Sequence, residues 1–123
     1  MKKTIKITQA KINNENELML QSEDSFKISD LNPMEQMLVD SVNLSFIYVV
    51  DNKEDYTYIA MPISIWNELK KANETNAPVY ISNQTERLLL PGLHEELSYL
   101  IENIKGNSNY GEEMVTKVES IFL

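Results

Sequence analysis

The sequence predicts an α+β fold: an antiparallel β-sheet of N-terminal hairpins with one inserted helix, a second hairpin and two C-terminal helices packed on the sheet. Three observations predict it. Apolar residues alternate at period two through the first half of the chain, an apolar stripe at helical spacing runs from Leu93 to Ile104, and strand signals precede helix signals rather than alternating with them. At 123 residues the chain reads as a single domain, 1–123.

The elements follow in order. Ile5 and Ile7, then Leu18 and Leu20, repeat at period two around the polar tract Asn13 to Glu17, which makes a first hairpin. Phe26 and Ile28 suggest a short third strand before a turn at Asp30-Leu31-Asn32-Pro33. Met37, Leu38 and Val39 open an apolar stretch that resumes at Leu44 and continues to Val50 without polar alternation, the pattern of a strand covered on both faces. After the polar tip Asp51 to Asp55, Tyr56 to Met61 is rich in aromatic and branched residues and completes another hairpin.

Pro62 suits a helix start, and Ile65, Trp66, Leu69 and Ala72 recur at helical spacing until Asn76-Ala77-Pro78 ends the helix. Val79 to Ile81 and Leu88 to Leu90 flank a polar turn, and Pro91-Gly92 closes that hairpin. Leu93, Leu97, Leu100, Ile101 and Ile104 form one apolar face, with Gly106 placed as the terminating glycine. Asn109 and Glu112 have capping-box spacing before a last helix with Met114, Val115, Val118, Ile121 and Phe122 on its apolar side.

Lys plus Arg total 11 against 19 for Asp plus Glu, a net charge of -8, so phosphate backbones are repelled and nucleic acid is not an expected partner. Residues 1–11 hold Lys2, Lys3, Lys6 and Lys11 with no acid; they contribute +4, which leaves -12 for the rest of a chain whose net charge is -8. These lysines are expected to blunt a sheet edge or to pair with acids on a neighbouring strand; the other reading is a basic docking face. Lys2 and Lys3 are followed by alternation rather than an apolar run, and no window is long and apolar enough for a membrane span, so a cytoplasmic location without membrane attachment is expected.

Gln36 to Ser41, together with His94 to Asn107 and Asn109 to Glu112, resembles a family of small acidic proteins from bacilli and staphylococci to which no function is assigned. The resemblance spans roughly residues 31–122. It implies a cytoplasmic bacterial protein of unknown function and carries no catalytic residue, cofactor or site.

The residues themselves exclude several chemistries. With no cysteine and one histidine, thiolate sites and paired-histidine zinc motifs are impossible, and His94-Glu95-Glu96 fails the HExxH pattern at Ser98. None of the three glycines belongs to a phosphate-cradling motif, and Arg87 is the only arginine. Glu95-Glu96 and Glu112-Glu113 suit first helical turns, where the macrodipole favours negative charge. No metal and no cofactor is expected.

Three candidates remain for a ligand or a partner. Asp40, beside Ser41, stands at a strand end where a turn is the ordinary reading; His94 opens a helix; and Tyr110 lies in the loop between the last two helices, either pinned into their junction or offered to a partner. Tyr48, Tyr56, Tyr58 and Tyr80 fall in strands. The function expected is that of a non-enzymatic protein-binding or adaptor module working through a sheet edge or its helical face, with a homodimer compatible with such edges. The alternatives are a small-ligand receptor or enzyme with a Tyr/Asp-lined pocket, and an acidic mimic of nucleic acid.

Overall fold

A computed structural model describes residues 3–123. Seven strands and three α-helices follow in the order β1 Lys3–Ile12, β2 Leu18–Ser22, β3 Asn32–Asp40, β4 Ser45–Asp51, β5 Tyr56–Pro62, α1 Trp66–Thr75, β6 Val79–Ser82, β7 Arg87–Leu89, α2 Leu93–Ile104 and α3 Glu112–Phe122. The α+β class and the order of strands, helix, hairpin and two helices agree with the sequence pattern.

The sheet is mixed, not purely antiparallel as expected. Its strand order is β3-β4-β5-β1-β2-β6-β7, and β1 runs parallel to β5 while β2 runs parallel to β6. The β1–β2 hairpin occupies the middle of the sheet, and the chain returns along both of its flanks. Strand β1 is shared along its length: Lys3 to Lys6 pair with β5, and the residues beyond a bulge between Ile7 and Gln9 pair with β2. Lys3 and Lys6 lie in the half of β1 that pairs with β5, and Lys11 in the half that pairs with β2; Lys2 lies outside the described residues.

The strand expected at Phe26 and Ile28 is absent. Ile28–Asp30 instead forms a 3₁₀ turn that buries Ile28 and Leu31, three residues apart, which suits a threefold rather than a twofold period. Asn32 and Pro33, expected in a turn, begin edge strand β3, where a missing amide donor is tolerated; the pairing then slips between Pro33 and Met37, with Glu35 at φ +51°. The apolar stretch after Met37 closes β3, turns through Ser41 to Leu44 and becomes β4, in which Ser45 to Val50 are all buried.

Pro62 ends β5 and leads into a 3₁₀ turn, Ile63–Ile65, before α1. Asn76, at φ +55°, stops α1 where the sequence indicates. Helix α2 buries Leu93, Leu97, Ile101 and Ile104, and α3 buries Met114 and Val118. The capping box at Asn109 does not form. A 3₁₀ turn, Ser108–Tyr110, takes up Asn109, whose amide donates to Asn107 Oδ1 at 3.1 Å, and Gly111 at φ +93° precedes α3 instead.

One face of the sheet meets the helices in a continuous core that includes Ile5, Ile7, Phe46, Tyr48, Ile59, Trp66, Leu97 and Val118. Phe46, Trp66 and Phe122 form a triangle of rings with centroids 5.1, 5.9 and 5.7 Å apart, and Trp66 Nε1 donates to the Met61 carbonyl at 3.0 Å. Among the described residues, no helix is long and apolar enough to cross a membrane.

Candidate functional site

Side chains alternate across a strand, so the core positions also determine what faces away from the helices. On β4, Phe46, Tyr48 and Val50 enter the core, which leaves Ser45, Ile47 and Val49 on the opposite side. The same alternation puts Tyr58 and Ala60 of β5, and Thr4 and Lys6 of β1, on that far side. Cross-strand register then aligns Leu38, Ile47, Ala60 and Lys6 in one row across four strands, with Val49, Tyr58 and Thr4 in the next. Ile47 is 9% exposed because Leu38 and Ala60 flank it.

Apart from Val49, these rows form the floor of a groove of about 810 Å³ lined also by Asp40, Ser41, Val42 and Asn43. Among the described residues, none from a helix lines it. Among the described residues, its one lysine, Lys6, and its one acid, Asp40, lie on strands β1 and β3, three strand spacings or about 14 Å apart. Val42, at the tip of the β3–β4 turn, is 91% exposed beside this groove.

Asp40 is a turn residue, as its surroundings in the sequence suggest. Its Oδ2 accepts from Asn43 Nδ2 at 2.8 Å and its Oδ1 from the Asn43 amide at 3.1 Å. The Asn43 side chain, and more weakly the Asn43 and Val42 backbone, hold the carboxyl below its usual range against the effect of partial burial. Asp40 therefore stays charged at the groove's edge while its own turn uses both oxygens.

His94 stands elsewhere, at the start of α2. Its Nε2 lies 2.6 Å from the Ala77 carbonyl, and because that oxygen only accepts, Nε2 carries the proton; the buried Nδ1 has no hydrogen-bond partner among the described residues. The small depression it lines, of about 230 Å³, shares no residue with the groove. Tyr110 is half-buried in the 3₁₀ turn between α2 and α3 and packs against the core. The three sequence candidates thus occupy three separate places. Among the described residues, no three acids or histidines cluster closely enough to hold a metal ion.

Sequence reasoning missed the groove because its floor comes from four strands whose pairing no local motif encodes. The signal available was Val42, a branched apolar residue at a turn tip, where Gly, Asn, Asp or Ser is usual. Arg87 was legible only by its rarity: it stacks on Tyr80 at 4.2 Å and pairs with Glu17 at 2.8 Å.

Comparisons with known proteins extend the resemblance toward the N-terminus. A protein from Bacillus cereus (strain B4264) is 39% identical over 110 residues, covering 89% of each chain. One from Geobacillus sp. (strain WCH70) is 42% identical over 98 residues, 80% of this chain and 79% of its own. One from Bacillus mycoides (strain KBAB4) is 39% identical over 110 residues, 89% of each chain. All three carry only a family designation. No solved structure matches the chain. A profile described as a family of unknown function, UPF0738, matches residues 5–122, and the chain belongs to that family.

Proposed function

We propose that this chain is a non-enzymatic, single-domain protein-binding module of the bacterial cytoplasm, and that its contact surface is the sheet face turned away from the helices. The observation that carries the reading is the row Leu38, Ile47 and Ala60 beside Lys6: an apolar strip on a sheet face that, among the described residues, none from a helix lines. Apolar surface of that kind, rimmed by polar side chains, is what protein contact sites present. The face refines the expectation of a sheet edge or helical face, since both edge strands are poor templates. Strand β3 is bulged at its proline end and β7 has only three residues.

A photo-crosslinking side chain at Thr4, which lines the groove, tests this against one at Glu102 on α2. Protein adducts are expected from Thr4 and not from Glu102. Adducts from Glu102 alone would sink the reading.

A small-ligand receptor is the second reading, because Asp40 and Tyr58 do line the same groove. Both oxygens of Asp40 already accept from Asn43, so a ligand would share them with the turn. Stabilisation of the purified chain by small carboxylates or phenols, lost in Tyr58→Phe, would favour the receptor.

A further inference from the structure

Resting on the reading of the helix-free face as a contact surface, we infer that its occupant is a second copy of this chain, packed face to face about a two-fold axis. The first argument is charge. Two copies of a chain with net charge -8 repel wherever acids dominate the touching surfaces. Helices α2 and α3 hold Glu95, Glu96, Glu102, Glu112, Glu113 and Glu119 against Lys117, so a helix-to-helix contact would bring like charges together. Among the described residues, the groove lining holds one base, Lys6, and one acid, Asp40.

The second argument is placement. A two-fold interface is self-complementary: whatever residue i touches as residue j, j touches as i. Lys6 and Asp40 lie at opposite sides of the groove, with the apolar positions Ile47 and Ala60 on the strands between them. An axis running along the strands, between β4 and β5, brings β1 of each copy over β3 of the other, so Lys6 faces the Leu38 row with Asp40 two residues, about 6.6 Å, further along, a distance a lysine side chain spans. It also brings the two apolar strips together.

The third argument is exposure. Among the described residues, six large hydrophobic side chains are exposed, and two of them belong to this side: Val42 at the groove's lip and Tyr56, 54% exposed, which alternation along β5 puts on the same face as Tyr58. A second copy covers both. An unrelated acidic partner would satisfy Lys6 but leave Asp40 facing like charge.

Sedimentation velocity of the full chain over a concentration series tests the inference. A species of about 28 kDa is expected, twice the 14.2 kDa chain. Lys6→Glu should weaken the dimer roughly tenfold, and Lys6→Glu combined with Asp40→Lys should restore it, because the swap rebuilds both pairs. Since Asp40 also holds its turn, Val42→Asp provides a variant at a fully accessible position; it should split the dimer while the thermal transition stays in place. A monomer at all concentrations, or a dimer indifferent to Lys6→Glu and Val42→Asp, overturns the inference. Monomers that still give Thr4 adducts to another protein overturn only the identity of the occupant, whereas monomers without Thr4 adducts remove the binding reading as well.

Discussion

The Tyr48 hydroxyl donates a 2.6 Å hydrogen bond to the carbonyl of Pro91, joining the middle of β4 to the residue pair that launches α2. The ring is fully buried, and the backbone of Glu35 in the β3 bulge lies near enough to the hydroxyl to favour its ionised form. Two segments 43 residues apart in sequence are joined at this oxygen. Tyr48→Phe keeps the ring but leaves the Pro91 carbonyl without this donor, and is expected to cost about 1–2 kcal/mol. A lower urea midpoint with an unchanged slope is the expected reading; an unchanged midpoint would show that solvent satisfies the carbonyl.

The same hydroxyl sets an alkaline limit. Burial pushes Tyr48 up to about 12 from an ordinary 10.0, against the opposing effect of the Glu35 backbone. In that window the unfolded chain has lost the proton and the folded chain keeps it, so stability is fully present below pH 10 and falls as pH rises toward 12. Unfolding midpoints measured across that range should decline in the native chain and decline less in Tyr48→Phe.

An acid limit follows from the opposite sign. Asp40 is held low first by the Asn43 side chain, and Glu17 is held low by the Asn13 side chain and then by Arg87. Each contributes stability above its ordinary value, 3.8 and 4.5 respectively, which is lost as pH falls through the lower folded value. Asn43→Ala removes the principal donor to Asp40, so the Asp40 carboxyl should titrate at higher pH by NMR and its share of the acid loss should shrink. An unmoved titration would refute the assignment.

The ring triangle makes the one tryptophan a reporter of α3. Phe122 comes from the last turn of α3 and sits 5.7 Å from Trp66 and 5.9 Å from Phe46. Phe122→Ala is expected to cost about 2 kcal/mol, below the range for a fully buried phenylalanine because Phe122 is only half-buried. Trp66 emission should shift to the red if α3 lifts from the sheet, and should stay in place if the cavity collapses with α3 still docked.

What the sequence revealed was local. Ile5 with Ile7, Leu18 with Leu20, and the Tyr56–Met61 run mark strands because alternation is a property of neighbours, and the Leu93–Ile104 stripe marks a helix for the same reason. What it hid was pairing between distant segments. Nothing near Lys6 indicates that Ala60 lies beside it, or near Leu20 that Ile81 does, yet those parallel registers make the sheet mixed, and the first of them assembles the groove floor. Pro33 misled because a proline marks a turn and an edge strand equally well, and only the sheet order separates the two. Asp40 and His94 were recognised as strand-end and helix-start residues, but their separation into different depressions required the fold.

Backbone geometry gives a paired prediction at two surface positions. Lys53, at the tip of the β4–β5 hairpin, is held at φ +81°, while the Asn52 side chain accepts from the amides of Glu54 and Asp55 at 3.2 and 2.8 Å. A side chain with a Cβ strains in that region, by about 1–2 kcal/mol, and glycine does not. Glycine also gives the unfolded chain more freedom, so Lys53→Gly is expected to gain a net 0.5–1 kcal/mol, roughly. Gly106 is the mirror case. It sits at φ +64° after α2, where an added Cβ would meet nothing within 4 Å, so Gly106→Ala tests backbone strain without steric contact. It should lose about 1 kcal/mol. Thermal midpoints moving in opposite directions for the two variants establish that conformation alone sets both effects; a neutral Gly106→Ala would show that the chain beyond α2 relaxes out of the left-handed region.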